Sequence, residues 1–256
     1  MQEKRFAVLF DGDNNSKDYI KTVIDEITNE GVITYKRMYG DWTCSNLKSM
    51  KDVVLEYSIT PMQQYSYTSG KNSTDSAMII DAMDILYSGK VDGFCLVSSD
   101  SDFTKLASRL REAGMYVIGM GKKQTPKAFV AACNKFKFVD LINEDVAKAA
   151  DKPTKGANKN VKKTKNEQIS ATPIEEVKKS IAKIIEETSD EEGWTLVSLV
   201  GNLLQNKYSD FDSRNYGFKK MVDLLKSSGF ELKKFQDPNN KKNPTGYVVY
   251  VRAKKQ

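Results

Sequence analysis

The chain of 256 residues contains no histidine. That absence excludes Ser-His-Asp and Cys-His nucleophile systems, H-E-x-x-H zinc sites, and ribonuclease chemistry run by a histidine acid and base. Any hydrolysis here must rest on carboxylates, lysines, hydroxyls or a bound metal. Cysteine is scarce too. Cys44, Cys95 and Cys133 are odd in number, far apart and form no C-x-x-C pair. A disulfide framework and a zinc knuckle are not expected, and the three read as small buried or half-buried hydrophobes. Long apolar runs are also missing. The longest, Ala128 to Cys133, has six residues, against about 20 for a helix that spans a bilayer. The FAVLF run after MQEKR is too short for a signal-peptide core. No membrane association and a cytoplasmic location are expected.

What is present describes a globular chain, 39% hydrophobic and 29% charged, long enough for two modest domains. Its charge is unevenly spread. Residues 1–144 hold 19 acids and 18 bases, so the net charge of +6 arises entirely in the remainder. Over 1–144, strand-like runs at Arg5–Phe10, Ile33–Gly40, Met62–Tyr67, Phe94–Ser98, Met115–Met120 and Phe136–Asp140 alternate with helical patterns near 16–30, 45–57, 73–88, 101–113 and 125–134. This alternation predicts an α/β sandwich with a mostly parallel central sheet. FAVLF and FCLVS are continuous apolar runs, as central strands covered on both faces require. Residues 145–170 hold seven lysines, three acids and few apolar side chains. Such a stretch cannot offset its ordering entropy and reads as a flexible basic linker. A second domain, 171–256, opens on Thr172-Pro173-Ile174-Glu175, a capping box with proline at the first helical position. Helices near 173–188, 195–205 and 213–228, followed by strands FELKKF and GYVVYVR around a Pro- and Asn-rich turn, predict a small winged-helix module.

Five aspartates are the candidates for chemistry. Asp11 follows FAVLF directly and Asp100 follows FCLVS after Ser99, each at the carboxyl end of an expected central strand, where ligands of wound α/β sheets bind. On the helix near 73–88, Asp75 aligns at 100° per residue with Ile79, Ala82 and Leu86, whereas Asp81 and Asp84 fall on the opposite face and need no partner. A carboxylate at the head of an apolar stripe does need one. Asp102 lies beside Asp100, and Asp13 is a second-rank candidate. Each aspartate alone also fits a turn or cap, and Ser101 or Asp102 fits the cap of the next helix. Taken together, converging carboxylates without histidine suit Mg²⁺ or Mn²⁺ rather than Zn²⁺. Asn14 or Asn15 is placed to hold a carboxylate, Ser99 or Ser101 to orient the acids, and Lys71 to contact a phosphate.

FAVLFDGDNN, KNSTDSAMIIDAMDILYSG, GFCLVSSDSDFTKLASRLREAG and TPKAFVAACNKFKFV resemble, in order, the blocks of the NYN family, LabA-like branch. That family is PIN-like, and the resemblance implies a metal-dependent nuclease acting on RNA. It puts the family's first acid on Asp11 with its asparagine on Asn14, the helix acid on Asp75, and the acids of S-G-D-S-D-F on Asp100 and Asp102. Ser99 stands where that motif usually has glycine, and Asn134 where many relatives have aspartate. The segments GWTLVSLVGNLL and FDSRNYGFKKMVDLLKSSGFEL resemble an OST-HTH/LOTUS module, which implies RNA binding, single-stranded or structured, and in some members a protein partner. On the helix expected at 213–228, Phe218, Met221, Val222 and Leu225 would be buried. Lys219, Lys220 and Lys226 would share the outer face with Tyr216, and Lys241 and Lys242 would sit in the wing; a cationic face with an aromatic suits nucleic acid.

The expected function is therefore a metal-dependent RNA endonuclease with a tethered capture module. Two other readings stand beside it. One is a non-catalytic RNA- or protein-binding adaptor. The other is a phosphatase of the haloacid-dehalogenase type, with Asp11 as covalent nucleophile and Asp13 as acid.

Overall fold

The runs FAVLF and FCLVS lie side by side at the centre of a parallel sheet in the computed structural model of the chain, which describes residues 3–65, 73–143, 171–236 and 247–253. The chain forms two compact units, Met1–Ser170 and Ala171–Gln256. The linker expected at 145–170, Lys71, and the turn carrying Lys241 and Lys242 lie outside the described residues.

In the first unit the strands are β1 (Arg5–Asp11), β2 (Val32–Gly40), β3 (Thr60–Gln63), β4 (Gly93–Val97), β5 (Tyr116–Gly121) and β6 (Lys135–Phe138). Their order is β3-β2-β1-β4-β5-β6, and every neighbouring pair is parallel. The third strand begins earlier than expected, at Thr60. Its Pro61 is tolerated because β3 is an edge strand, where a missing N–H need not break a ladder. Helices α1 (Lys17–Thr28), α2 (Ser45–Lys48), α3 (Lys51–Glu56), α4 (Ser73–Tyr87), α5 (Thr104–Glu112) and α6 (Lys127–Ala132) connect them. The single helix expected at 45–57 is thus two short ones.

Both faces of the sheet are covered. Ile20, Val23 and Ile27 of α1 join Leu47, Met50 and Val54 against Phe6, Val8 and Phe10 of β1. Helix α4 packs on β1 and β2, and α5 on β5 and α6. Phe6 to Phe10 are all inaccessible to solvent, each large side chain contributing about 1.5–3 kcal/mol by its burial. This is the expected PIN-like α/β/α sandwich. The chain winds outward from β1 to β3, then returns through α4 to β4 on the other side of β1. The winding therefore reverses between β1 and β4, and the crevice beyond their carboxyl ends is where a ligand fits. Cys95 and Cys133 are buried as expected, but Cys44 is exposed.

The second unit contains α7 (Ile174–Thr188), β7 (Thr195–Leu196), α8 (Val197–Lys207), α9 (Met221–Ser227), β8 (Glu231–Gln236) and β9 (Tyr247–Arg252). Its antiparallel sheet has the order β7-β9-β8. Val177, Ile181 and Ile185 of α7 pack with Val200, Leu204, Leu224, Leu225 and Val251 into one core, giving the expected winged-helix arrangement. Two local expectations are corrected. Thr172 does not close a capping box: its N–H and hydroxyl both donate to the Asp210 carboxylate, at 2.5 and 2.9 Å. The helix expected at 213–228 is broken. Asp212 caps a single 3-10 turn, Ser213–Tyr216, which Gly217 ends at φ 80°, a conformation glycine adopts without the Cβ penalty. No helix among the described residues is long and apolar enough to cross a membrane.

Candidate functional site

The DGDNN segment is built to hold the two strand ends together. Phe10 of β1 pairs with Val97 of β4, and the Asn15 amide donates to the carbonyls of Asp11 at 2.6 Å and Val97 at 2.7 Å. Gly12 lies against β2, its N–H donating to the Tyr39 carbonyl at 2.8 Å. A Cβ at Gly12 would meet that same oxygen at 2.6 Å, so only glycine allows this turn. The carboxylate of Asp11 is then directed into the crevice and is inaccessible to solvent. Its Oδ2 accepts from Ser98 Oγ at 2.7 Å and from Asn14 Nδ2 at 2.8 Å. Its Oδ1 is buried without a hydrogen-bond partner among the described residues.

Three further carboxylates converge beside it. Asp75 lies in the first turn of α4 and is buried with Thr74. Asp100 caps the 3-10 turn Ser101–Phe103 by accepting from the Asp102 N–H at 2.9 Å. Its own N–H donates to Ser98 Oγ at 3.0 Å. Ser98 Oγ thus links the Asp11 carboxylate to the loop that carries Asp100. One carboxylate oxygen from each of Asp75, Asp100 and Asp102 lies within 4.8 Å of the other two. Asp75 is buried, Asp100 half-buried and Asp102 exposed, so the cluster opens to solvent on one side. Asp13 stands at the rim, accepting from Thr74 Oγ1 at 2.8 Å.

The electrostatics are those of crowded negative charge. Burial, followed by the charges of Asp11, Asp100, Asp102 and Asp13, pushes Asp75 up to about 6. Burial also raises Asp11, although the hydrogen bonds from Ser98 and Asn14 partly offset it. These residues fit a hard divalent cation. All donors are carboxylate oxygens, and two oxygens each about 2.1–2.4 Å from one ion lie at most about 4.8 Å apart. The unpartnered Asp11 Oδ1 and the raised Asp75 both mark charge that a cation would neutralise.

Asp11, Asp75, Asp100 and Asp102 come together at one end of the sheet, although only the last three have oxygens close enough to share one ion. Asn14 holds the Asp11 carboxylate, and Asn15 holds the strand ends. The Ser99 hydroxyl accepts from the Lys122 N–H at 2.9 Å, a contact with the loop after β5 rather than with one of the acids. The hydroxyl on Asp11 is that of Ser98, which the sequence reading passed over. Its place at the carboxyl end of FCLVS, one residue beyond the Phe10–Val97 pair as Asp11 is at the end of FAVLF, was the available signal. The buried face of α4 runs Asp75, Met78, Ala82 and Ile85, close to the expected stripe. Asp81, however, is partnered: it binds the Arg37 guanidinium and the Tyr39 hydroxyl of β2. Asn134 accepts from the Val117 N–H at 2.8 Å, near the amino end of β5 and away from the acidic cluster.

In the second unit, Lys219, Lys220 and Lys226 are exposed. Tyr216 does not share their face. Its hydroxyl donates to the Thr172 carbonyl at 3.0 Å, and its ring packs on Phe211 and the core. The break at Gly217 is the reason.

Residues 5–141 match the NYN domain, and residues 172–241 match the OST-HTH/LOTUS domain. No curated protein matches the chain. Among solved structures, a protein of unknown function from Vibrio parahaemolyticus is 18% identical with a TM-score of 0.46, over 54% of this chain and 94% of its own. A protein from Nitrosomonas europaea is 30% identical with a TM-score of 0.28, over 41% of this chain and 93% of its own.

Proposed function

The chain belongs to the NYN family, and from that premise we propose that it is a metal-dependent ribonuclease cutting RNA phosphodiesters internally. The observation that carries the proposal is the convergence of Asp75, Asp100 and Asp102 within 4.8 Å beside the buried Asp11. In this reading Asp75, Asp100 and Asp102 hold Mg²⁺ or Mn²⁺, with Asp11 completing the negative site. Such an ion, when bound, supplies Lewis-acid stabilisation of phosphodiester charge and makes a water more acidic. The protein's own groups do the positioning. Ser98 and Asn14 fix the Asp11 carboxylate, Asp100 is fixed by its cap on the 3-10 turn, and Asp102 stands exposed at the mouth where substrate arrives. Asp13, at the rim, and Lys71, outside the described residues, would play supporting roles, the lysine towards a substrate phosphate.

Residues 1–144 would carry the chemistry, 145–170 the tether and 171–256 the capture of RNA. Lys219, Lys220 and Lys226, with Lys241 and Lys242, would contact phosphates. A tether raises the effective concentration of captured RNA at the acidic crevice. The complete burial of Asp11 opposes its use as a phosphatase nucleophile, which must reach phosphorus.

The test is incubation with single-stranded and structured RNAs in Mg²⁺ or Mn²⁺. Cleavage is expected, and Asp75→Asn and Asp100→Asn should each lower its rate by roughly 10²-fold or more. No cleavage would leave a non-catalytic adaptor as the better account, and cleavage unaltered in both variants would overturn the assignment of the chemistry to these carboxylates.

A further inference from the structure

The three-stranded sheet of the second unit has one face in the core and one face outside it. Leu232, Val249 and Val251 belong to the core side. By strand alternation, Glu231, Lys233 and Phe235 of β8, with Val248, Tyr250 and Arg252 of β9, occupy the opposite side. Trp194, which precedes β7 and lies next to Arg252, joins them. The outer face therefore carries three aromatic rings with cations set between them. The Arg252 guanidinium lies 4.5 Å from the centre of the Trp194 ring. Lys233 Nζ lies 4.5 Å from Phe235 and 5.8 Å from Trp194. Phe235 meets Tyr250 edge-on at 5.2 Å. Phe235 is 40% exposed, a large apolar surface left in water on a sheet that buries its other side.

We infer that this outer sheet face is a stacking platform for the unpaired bases of single-stranded RNA. Phe235 stands edge-on to Tyr250, and the flat guanidinium of Arg252 covers Trp194; exposed rings and a guanidinium plane are both surfaces on which any base can stack. Lys233 would meet the phosphates between stacked bases, and Arg252 is fixed over Trp194 by its pair with Glu231 at 2.7 Å. The surface is complementary to a polyanion carrying flat apolar groups, and duplex RNA hides those groups. The inference rests on the reading of the second unit as the RNA-capturing part, but it places base contact on the sheet rather than on the lysines around α9.

The experiment is fluorescence anisotropy of the full chain, in EDTA so that no cleavage occurs, with labelled single strands of about 12 nucleotides and a duplex of equal length. Single strands should bind more tightly than the duplex. Phe235→Ala and Phe235→Leu should each weaken single-strand binding roughly ten-fold, and Phe235→Trp should retain it. Lys233→Glu should weaken binding and reduce the salt slope by about one. Thermal melting identifies which variants fold, and Phe235→Leu keeps an apolar contact with Tyr250 should the alanine variant fail. Wild-type affinity in the folded Phe235 variants, or equal affinity for duplex and single strand, overturns the platform. Loss confined to Lys219→Ala and Lys220→Ala overturns it in favour of the helix side. No binding by the full chain overturns both the platform and RNA capture, while the cleavage assay judges the acidic site separately.

Discussion

Asp75 concentrates the electrostatic cost of the acidic site in one side chain. Its carboxyl, pushed up to about 6 by burial and by its acidic neighbours, compares with an ordinary value of 3.8. The folded chain therefore binds more protons than the unfolded chain between about pH 4 and 6, and this residue's contribution to stability falls as pH rises through that window. Above pH 6 the full cost is present unless a cation offsets it. Metal-free Asp75→Asn should accordingly be more stable than the wild type at pH 8, by about 1–2 kcal/mol once solvent screening is allowed for. The two should converge below pH 4. Urea denaturation in EDTA at both pH values measures this, and a less stable variant at pH 8 would contradict it. Ser98 and Asn14 act at the same scale in the opposite sense, since their hydrogen bonds favour the charged form of Asp11.

Between elements, buried polar contacts fix positions that apolar packing leaves free. Asp81 joins α4 to β2 through Arg37 and Tyr39, which sets the rotation of the helix that presents Asp75. At the other side of the sheet, Lys137 of β6 is 4% exposed and reaches Glu26 at 2.7 Å and Glu30 at 2.9 Å on the α1 side. Burial pushes Glu30 up, but Lys135 and Lys137 outweigh it and hold the carboxyl below its usual range. Removing a buried partner strands charge. Lys137→Ala should cost about 3–5 kcal/mol, read as a lower denaturation midpoint. A change under about 1 kcal/mol would show that water reaches the two glutamates freely.

At the scale of the whole molecule, the division at Ser170 and Ala171 and the confinement of the acidic cluster to the first unit make a calorimetric prediction. Two unfolding transitions are expected. Mn²⁺ or Mg²⁺ should raise only the transition of Met1–Ser170, by about 2.7 kcal/mol at a hundred times the dissociation constant. Movement of both transitions, or of neither, would count against metal binding at this site alone. The proposed stacking face belongs to the other unit, so EDTA should leave oligonucleotide binding in place while cleavage stops.

Alternation of apolar runs and helical stripes was enough to place five strands of the parallel sheet closely, and the edge strand β3 only in part, because it was expected at Met62–Tyr67 and lies at Thr60–Gln63. The lack of histidine, with aspartates after FAVLF and FCLVS and on the stripe of α4, pointed to the acidic cluster. These are local properties, set by periodicities of two and 3.6 residues and by residue type. Tertiary structure alone decided the rest. It made Ser98 rather than Ser99 the hydroxyl on Asp11, because that bond joins residues 87 apart in sequence and depends on the register of β1 against β4. It gave Asp81 its partners across the α4–β2 contact. It also turned Tyr216 inward, because one glycine at φ 80° broke a helix whose periodicity continued through it. Propensity describes which element a residue belongs to. Which atom it meets is set by the packing of elements distant in the chain.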